Sequence, residues 1–378
     1  MRITIVVGFF LPVPPLAGGA SEKSWHGLAR EFAAQGHDVV VISRRWPGLP
    51  DDEREGNLRH LRLHGDAHTA NLPRNLWRDF LWSFRVWCAL PPGDVAIVNC
   101  IALPLLLALS RRRAGRVIVM TGRVPKGQYR LYRRIDRVLA VSSPIERAVV
   151  AENPRLQPVT RVFGYPIDWE SLARAPDRRT ADFVTIGFIG RLNREKGLTL
   201  LAAALRLLAA RADLPPWRVL LCGPSDIARG GSGPDFLAEL EHALAAALPR
   251  DRFEIRAPEF DPDKLVAVYR AIDVFCYPSL AVQGETFGVA VVEAMAAGAV
   301  PVVSQLPCFT DFVREGVNGL VFDHTAPDAA HRLADALAAL VADAPRRALL
   351  AQQARLDAQA YDFPRFATRL LEDFSTLK

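Results

Sequence analysis

Residues 272–303, IDVFCYPSLAVQGETFGVAVVEAMAAGAVPVV, hold an apolar run, a polar loop, a helix and a second apolar run. The first run, 272–277 with Asp273 at its head, leads to Pro278 and a loop ending in Gly284-Glu285. A helix is expected to start near Thr286 and Phe287. It should stop at Gly298, since glycine accepts the conformation that closes a helix. Residues 300–303 resume as a strand, so the stretch predicts a βαβ unit in a parallel sheet.

Two carboxylates bracket the helix start. Glu285 stands in the loop at its positive end, and Glu293 about one turn inside, four residues after Val289. First-turn N–H groups have no intrahelical partner and sit at the positive pole of the helix dipole, which suits a diphosphate. A carboxylate one turn further in can accept two hydrogen bonds from a vicinal diol such as ribose. One in the loop can reach polar groups attached beyond the phosphate. The plain alternative is a dipole-stabilised Glu285 and a solvated Glu293, which spacing alone does not exclude.

Upstream, strand and helix patterns alternate from residue 183. Strands are expected at 183–189, 218–222 and 253–256, and helices at 198–211, 236–247 and 263–270. The loop GRLNREKG after the first of these strands presents Arg191 and Lys196 before a helix. Two cations five residues apart at a helix start can hold a diphosphate and stabilise it as a leaving group. The loop lacks G-x-x-x-x-G-K-[ST] and is no Walker loop. Surface cations paired with Glu195 are the alternative. Downstream, 327–342 and 345–360 read as helices. A break at Tyr361-Asp362-Phe363-Pro364 precedes a last helix expected to return to the first domain.

The N-terminal half repeats the pattern. Residues 3–10 read as a buried strand, followed by LPVPPLAGGA, a helix over 22–35 with Ser21 as its cap and Gly36 as its stop, and a strand at 38–43. Gly18-Gly19 lies where ligands approach open α/β sheets; it is not a G-x-G-x-x-G, and a structural turn is the alternative. Further strands are expected at 95–99, 117–121, 138–142 and 159–163. Residues 46–72 read as irregular, with Asp51-Asp52 unpartnered. Residues 165–182 are the best linker, dividing a domain 1–164 (plus 362–378) from a domain 165–361.

Charge is uneven. Residues 1–164 carry 24 Lys+Arg against 13 Asp+Glu, and the remainder 23 against 28, within a net +6. The first half is therefore expected to face something anionic. In LPRNLWRDFLWSFRVWCAL, Trp77, Trp82 and Trp87 interleave with Arg74, Arg78 and Arg85, as on a helix lying on an anionic membrane. The five-residue period lets several of these tryptophans be core instead. Arg111-Arg112-Arg113 and Arg123, Lys126, Arg130, Arg133, Arg134 and Arg137 extend the basic face. No nucleic-acid motif appears, so nucleic acid ranks below a lipid or a phosphorylated acceptor. Five scattered cysteines read as buried thiols of a reducing compartment. The N-terminus reads as a strand, not a signal peptide. The apolar run 95–109 falls short of the ~18–20 residues of a membrane span. A cytoplasmic protein is expected, with a peripheral position on the membrane's inner face as a further reading.

GFIGRLNREKGLTLLAAAL, AIDVFCYPS, ETFGVAVVEAMAAGAVPVVS and REGVNGLVF together resemble glycosyltransferase family 4. The resemblance covers nearly all of the second domain. It is looser in the first, through the Gly-Gly loop, GHDVVVIS, RVLAVSS and residues 164–169. It implies two Rossmann-like domains facing a cleft (GT-B) and a retaining, metal-independent transferase. By position it implies ribose binding by Glu293 and a place beside the donor sugar for Glu285. Backbone amides of Phe287, Gly288 and Val289 would lie near sugar and phosphate. Arg191 and Lys196 would form a phosphate clamp, Gly19 a closing loop, and residues 256–259 a base site. The chain departs from the family pattern in three places. It has Gly122-Arg123 where a His often stands, Asn99-Cys100 in place of H-x-H, and Pro307-Cys308 with Asp311 in place of Gly-Gly and Glu.

The expected activity is transfer of a hexose from a nucleoside-diphosphate sugar to a hydroxyl of a glycan, glycolipid or other glycoconjugate, with neither metal nor cofactor. Arg191, Lys196 and Glu285 would do the chemistry, and Gly18, Gly19, Phe287, Gly288, Val289 and Glu293 would bind the donor. Arg123, Lys126 and Arg130 would face the acceptor. The departing phosphate oxygen would take the acceptor's proton on the same face, with a covalent intermediate on Glu285 as the alternative. A nucleotide-sugar epimerase and a non-catalytic sugar-nucleotide-binding protein are the rival functions.

Overall fold

The computed structural model describes residues 1–16, 18–67, 69, 71–109, 113–174 and 182–377. The chain divides into two units, one of Met1–Pro166 with Phe363–Lys378 and one of Ile167–Asp362.

The first unit contains β1 (Arg2–Val6), α1 (Ala20–Ala34), β2 (Asp38–Arg44), β3 (Asp52–Glu55), β4 (Leu58–Leu63), α2 (Leu72–Ala89), β5 (Val95–Val98), α3 (Leu103–Leu109), β6 (Arg116–Thr121), β7 (Arg137–Ala140), α4 (Ser143–Glu152) and β8 (Thr160–Val162). Its sheet runs β3-β4-β2-β1-β5-β6-β7-β8, parallel except for β3 against β4. The strand order reverses between β1 and β5. The loops leaving those two strands therefore diverge and open a crevice at their carboxyl ends.

The second unit contains α5 (Trp169–Ala173), β9 (Val184–Ile189), α6 (Leu198–Ala209), β10 (Trp217–Cys222), α7 (Pro234–Ala247), β11 (Phe253–Arg256), α8 (Pro262–Arg270), β12 (Val274–Tyr277), α9 (Val289–Ala296), β13 (Val300–Ser304), β14 (Leu320–Phe322), α10 (Ala329–Ala342) and α11 (Ala344–Ala358). Its parallel sheet runs β11-β10-β9-β12-β13-β14, and the order reverses between β9 and β12. The last helix, α12 (Phe363–Ser375), belongs to the first unit. There Phe374 meets Phe32 of α1 at 6.4 Å, and Asp373 pairs with Arg137 at 2.7 Å. Both units are Rossmann-like.

Several expectations change. Residues 46–72 include the hairpin β3–β4, which extends the sheet, and Asp52 bonds Arg59 while Asp51 pairs with Arg45. Ser21 lies inside α1, whose N-cap is Gly19 at φ +100°, without a side-chain cap. α9 starts at Val289, because Gly288 at φ +94° is left-handed and Phe287 is drawn into the core against Phe312 at 5.0 Å and Tyr361 at 5.5 Å. Within the linker, α5 forms behind Asp168, whose carboxylate accepts from the Ser171 N–H. Residues 175–181, Arg111 and Arg112 lie outside the described residues. Arg137 is buried in its ion pair and contributes nothing to a basic face. Cys88 is exposed; the other four cysteines are buried.

Candidate active site

At the switch point of the second sheet, the loops leaving β9 and β12 are pressed together by glycines. A Cβ on Gly197, at φ +69°, would lie 1.9 Å from the Pro278 carbonyl oxygen. The Leu280 N–H donates to the Glu195 carbonyl at 2.8 Å, closing the same contact. Beside it, a Cβ on Gly223 would lie 1.8 Å from the Gly190 carbonyl oxygen, which seats the loop after β10 on the first one.

This contact brings together two residues from the separate motifs. Lys196 Nζ lies 2.6 Å from Glu285 Oε2, and both side chains are more than nine-tenths buried. The ammonium also stands 5.2 Å from the centre of the Tyr277 ring, at the carboxyl end of β12. Burial pushes the Tyr277 phenol well above its ordinary pKa, and its hydrogen bond to Glu285 adds to the shift. The Cys308 thiol is raised by burial and then by the Glu285 charge. Glu285 thus sits buried between the Lys196 ammonium and the Tyr277 hydroxyl. Arg191 is half-exposed and pairs with Glu195 at 3.2 Å, the arrangement expected of a surface cation.

α9 points its first turn at this corner. No side chain caps it, and Gly288 leaves no Cβ to cover the turn, where one would meet the Phe309 ring at 2.7 Å. An N-terminus of this kind suits an anion. Glu293, one turn in, is buried rather than solvated and accepts a hydrogen bond from the Tyr269 hydroxyl at 2.7 Å. Burial raises the Tyr269 phenol far above its usual range, and the Glu293 charge raises it further. Next along the same sheet edge lies a cavity of about 270 Å³ lined by Cys222, Arg256, Ala257, Glu259, Lys264 and Val268, among others.

The remaining predicted residues belong to the first unit. Gly18 and Gly19 close the loop after β1 at φ +79° and +100°, and a Cβ on Gly19 would lie 2.1 Å from Glu22 Oε2. Burial raises the Glu22 carboxyl, partly offset by Arg123. A Cβ on Gly122 would lie 2.3 Å from the Tyr165 hydroxyl, so the phenol takes the space where a side chain at that position would stand. Asn99 accepts from Trp25 Nε1 at 2.9 Å and donates to the Val6 carbonyl. Arg123, Lys126 and Arg130 are exposed.

Sequence reasoning missed Tyr269 and Tyr277. Tyr277 ends an apolar strand, a position that opens onto the sheet's carboxyl edge, and that signal was available. Tyr269 sits on a helix, 24 residues from its carboxylate, and nothing local marks it.

Residues 172–357 match the family described as glycosyl transferases group 1, and residues 17–162 match glycosyltransferase family 4. A D-inositol 3-phosphate glycosyltransferase of Corynebacterium urealyticum is 36% identical over 196 residues, covering 51% of this chain and 43% of that relative. One from Rhodococcus jostii is 35% identical over 194 residues, covering 50% and 39%. The chain thus spans less than half the length of the curated relatives it matches. Sucrose-phosphate synthase from Thermosynechococcus elongatus superposes with a TM-score of 0.78 at 21% identity, over 100% of this chain and 99% of that one. The Anabaena protein Alr3699/HepE, solved in complex with UDP and glucose, gives 0.72 at 18% over the whole of both chains. These two likenesses speak to the fold.

Proposed function

This chain belongs to glycosyltransferase family 4, and on that premise we propose that it moves a hexose from a nucleoside-diphosphate sugar to an acceptor hydroxyl on a glycan or glycoconjugate, with retention and without a metal. The observation that carries the reading is the buried Lys196–Glu285 pair beside the uncapped first turn of α9. That corner offers a diphosphate one buried cation and a positive helix pole, and Arg191 supplies a second cation at the rim.

In the proposed reaction the bond from the anomeric carbon to the diphosphate oxygen breaks, and a bond from that carbon to the acceptor oxygen forms. The acceptor's proton passes to the departing phosphate oxygen. Lys196, Arg191 and the Phe287, Gly288 and Val289 amides stabilise the charge that grows on the leaving group. Glu285 is already bonded by Lys196 and Tyr277, which lowers its nucleophilicity and favours same-face attack over a glycosyl-enzyme. Its free acceptor capacity is suited to sugar hydroxyls. Glu293, which accepts from the Tyr269 hydroxyl, would accept from a ribose diol. The cavity bounded by Arg256 and Glu259 has the polar lining a base requires.

The test is a screen of nucleoside-diphosphate hexoses for thermal stabilisation, with UDP sugars first, then anomeric analysis of the product by NMR. Product of inverted configuration would overturn the proposed stereochemistry, and donor conversion without acceptor would favour an epimerase.

A further inference from the structure

α2 buries one side against the first sheet and leaves an aromatic stripe on the other. Inward, Trp82 donates its indole N–H to the Val7 carbonyl at 3.1 Å. Asp79 accepts the N–H groups of Ile101 and Ala102 at 3.1 and 2.8 Å. Outward, Leu76, Trp77, Phe80 and Phe84 recur at three- and four-residue spacing, which places them on one helix face, while Trp87 is partly buried against the core. Leu76 is 45% exposed, Trp77 61%, Phe80 41% and Phe84 48%. Trp77 stacks on Phe80 at 5.7 Å, and Phe84 packs by the partly buried Trp87 at 6.0 Å. Soluble monomers rarely expose such a patch without a partner for it.

Charge decides among partners. The only carboxylate of α2 is the buried Asp79, so the helix shows solvent no negative group. Residues 72–137 carry 13 Lys+Arg against 3 Asp+Glu. Arg74 is exposed on α2, and Arg134, also exposed, reaches from the segment before β7 to the carbonyl of Ala108 at the end of α3. A second copy of the chain would bring the same arginines against these. An anionic bilayer offers apolar depth for the rings and phosphate charge for the arginines. Among the described residues no helix is long and apolar enough to cross a membrane.

We propose that the outer face of α2 is a docking surface for an anionic lipid bilayer, with Trp77, Phe80 and Phe84 seated at the headgroup level. The proposal does not rest on the sugar-nucleotide reading.

Cys88 lies beside the stripe and is the exposed cysteine of the five, so an environment-sensitive maleimide dye there reports on the face itself. The labelled protein is mixed with phosphatidylcholine vesicles containing or lacking about 30 mol% phosphatidylglycerol. The expected result is a blue shift of the dye and flotation with the anionic vesicles, both weakened by salt. A Trp77→Ser/Phe84→Ser variant should bind at least about tenfold more weakly. Both positions are exposed, so its thermal unfolding should match wild type, as should its stabilisation by nucleotide sugars. Failure of wild type to float with anionic vesicles, or equal flotation of the variant, would overturn the proposal. So would concentration-dependent self-association abolished by the variant, which would make a second copy the occupant.

Discussion

Lys196 and Glu285, 89 positions apart in the chain, meet at 2.6 Å where the loops of β9 and β12 converge. A buried ion pair gains little net stability once desolvation is counted, yet removing one partner strands a charge. The same contact is proposed to serve the leaving group, so its two roles separate by mutation.

Lys196→Ala should lower kcat by roughly 10²–10³-fold, the scale for losing one preorganised charge-stabilising donor. Unfolding free energy should drop by about 3–5 kcal/mol, because Glu285 stays buried without its cation. Lys196→Ala/Glu285→Gln should recover part of that stability in urea titrations and none of the turnover. Near-normal turnover of the single variant would remove the cation from the transfer step.

Glu293→Gln tests the diol contact. Each lost hydrogen bond is worth about 0.5–1.5 kcal/mol, so donor KM should rise roughly tenfold with kcat little changed. Tyr269→Phe should act in the same direction but more weakly, since it only loosens the carboxylate. A fall in kcat alone would assign Glu293 to the chemistry instead.

Gly197→Ala should destabilise the second unit by at least about 2 kcal/mol, through strain at φ +69° and collision with the Pro278 carbonyl. Melting should fall by about 4–8 °C for a domain of this size. An unchanged melting temperature would mean that the loop contact yields easily.

The pH dependence turns on His60 and His26, tilted against each other in the first unit at 5.9 Å between ring centres, each with a buried Nδ1 that has no hydrogen-bond partner among the described residues. Burial and then the Arg62 charge lower His60 to about 4, and burial and then Arg30 lower His26. Glu53 and Glu55 oppose these shifts in part. Below the unfolded value near 6.5, the unfolded chain binds more protons, so stability falls with pH from about 6.5 towards 4. Wild type should lose about 1–2 kcal/mol between pH 7.5 and 5 in urea titrations. His60→Phe should flatten that slope, and an unchanged slope would place the acid sensitivity elsewhere.

Many of the strands could be read from the chain, because apolar runs such as β9 and β13 are buried on both faces and stand out without context. The β3–β4 hairpin could not. Its residues Asp52–Glu55 are all exposed and polar, and they are strands only because β4 pairs with β2. The start of α9 was misplaced by two or three residues, since the sidechain packing of Phe287 and the backbone twist at Gly288 are set by distant aromatics.

The chain by itself determined the alternation of strand and helix and the positions of Lys196, Glu285 and Glu293 beside helix starts, because periodicity and capping act over a few residues. Tertiary structure decided which charges are neutralised. Lys196 meets Glu285, Tyr269 meets Glu293, and Arg137 is taken out of the basic face by Asp373, 236 residues away. Those pairings depend on where the crossover connections return each strand, and no local pattern encodes that distance.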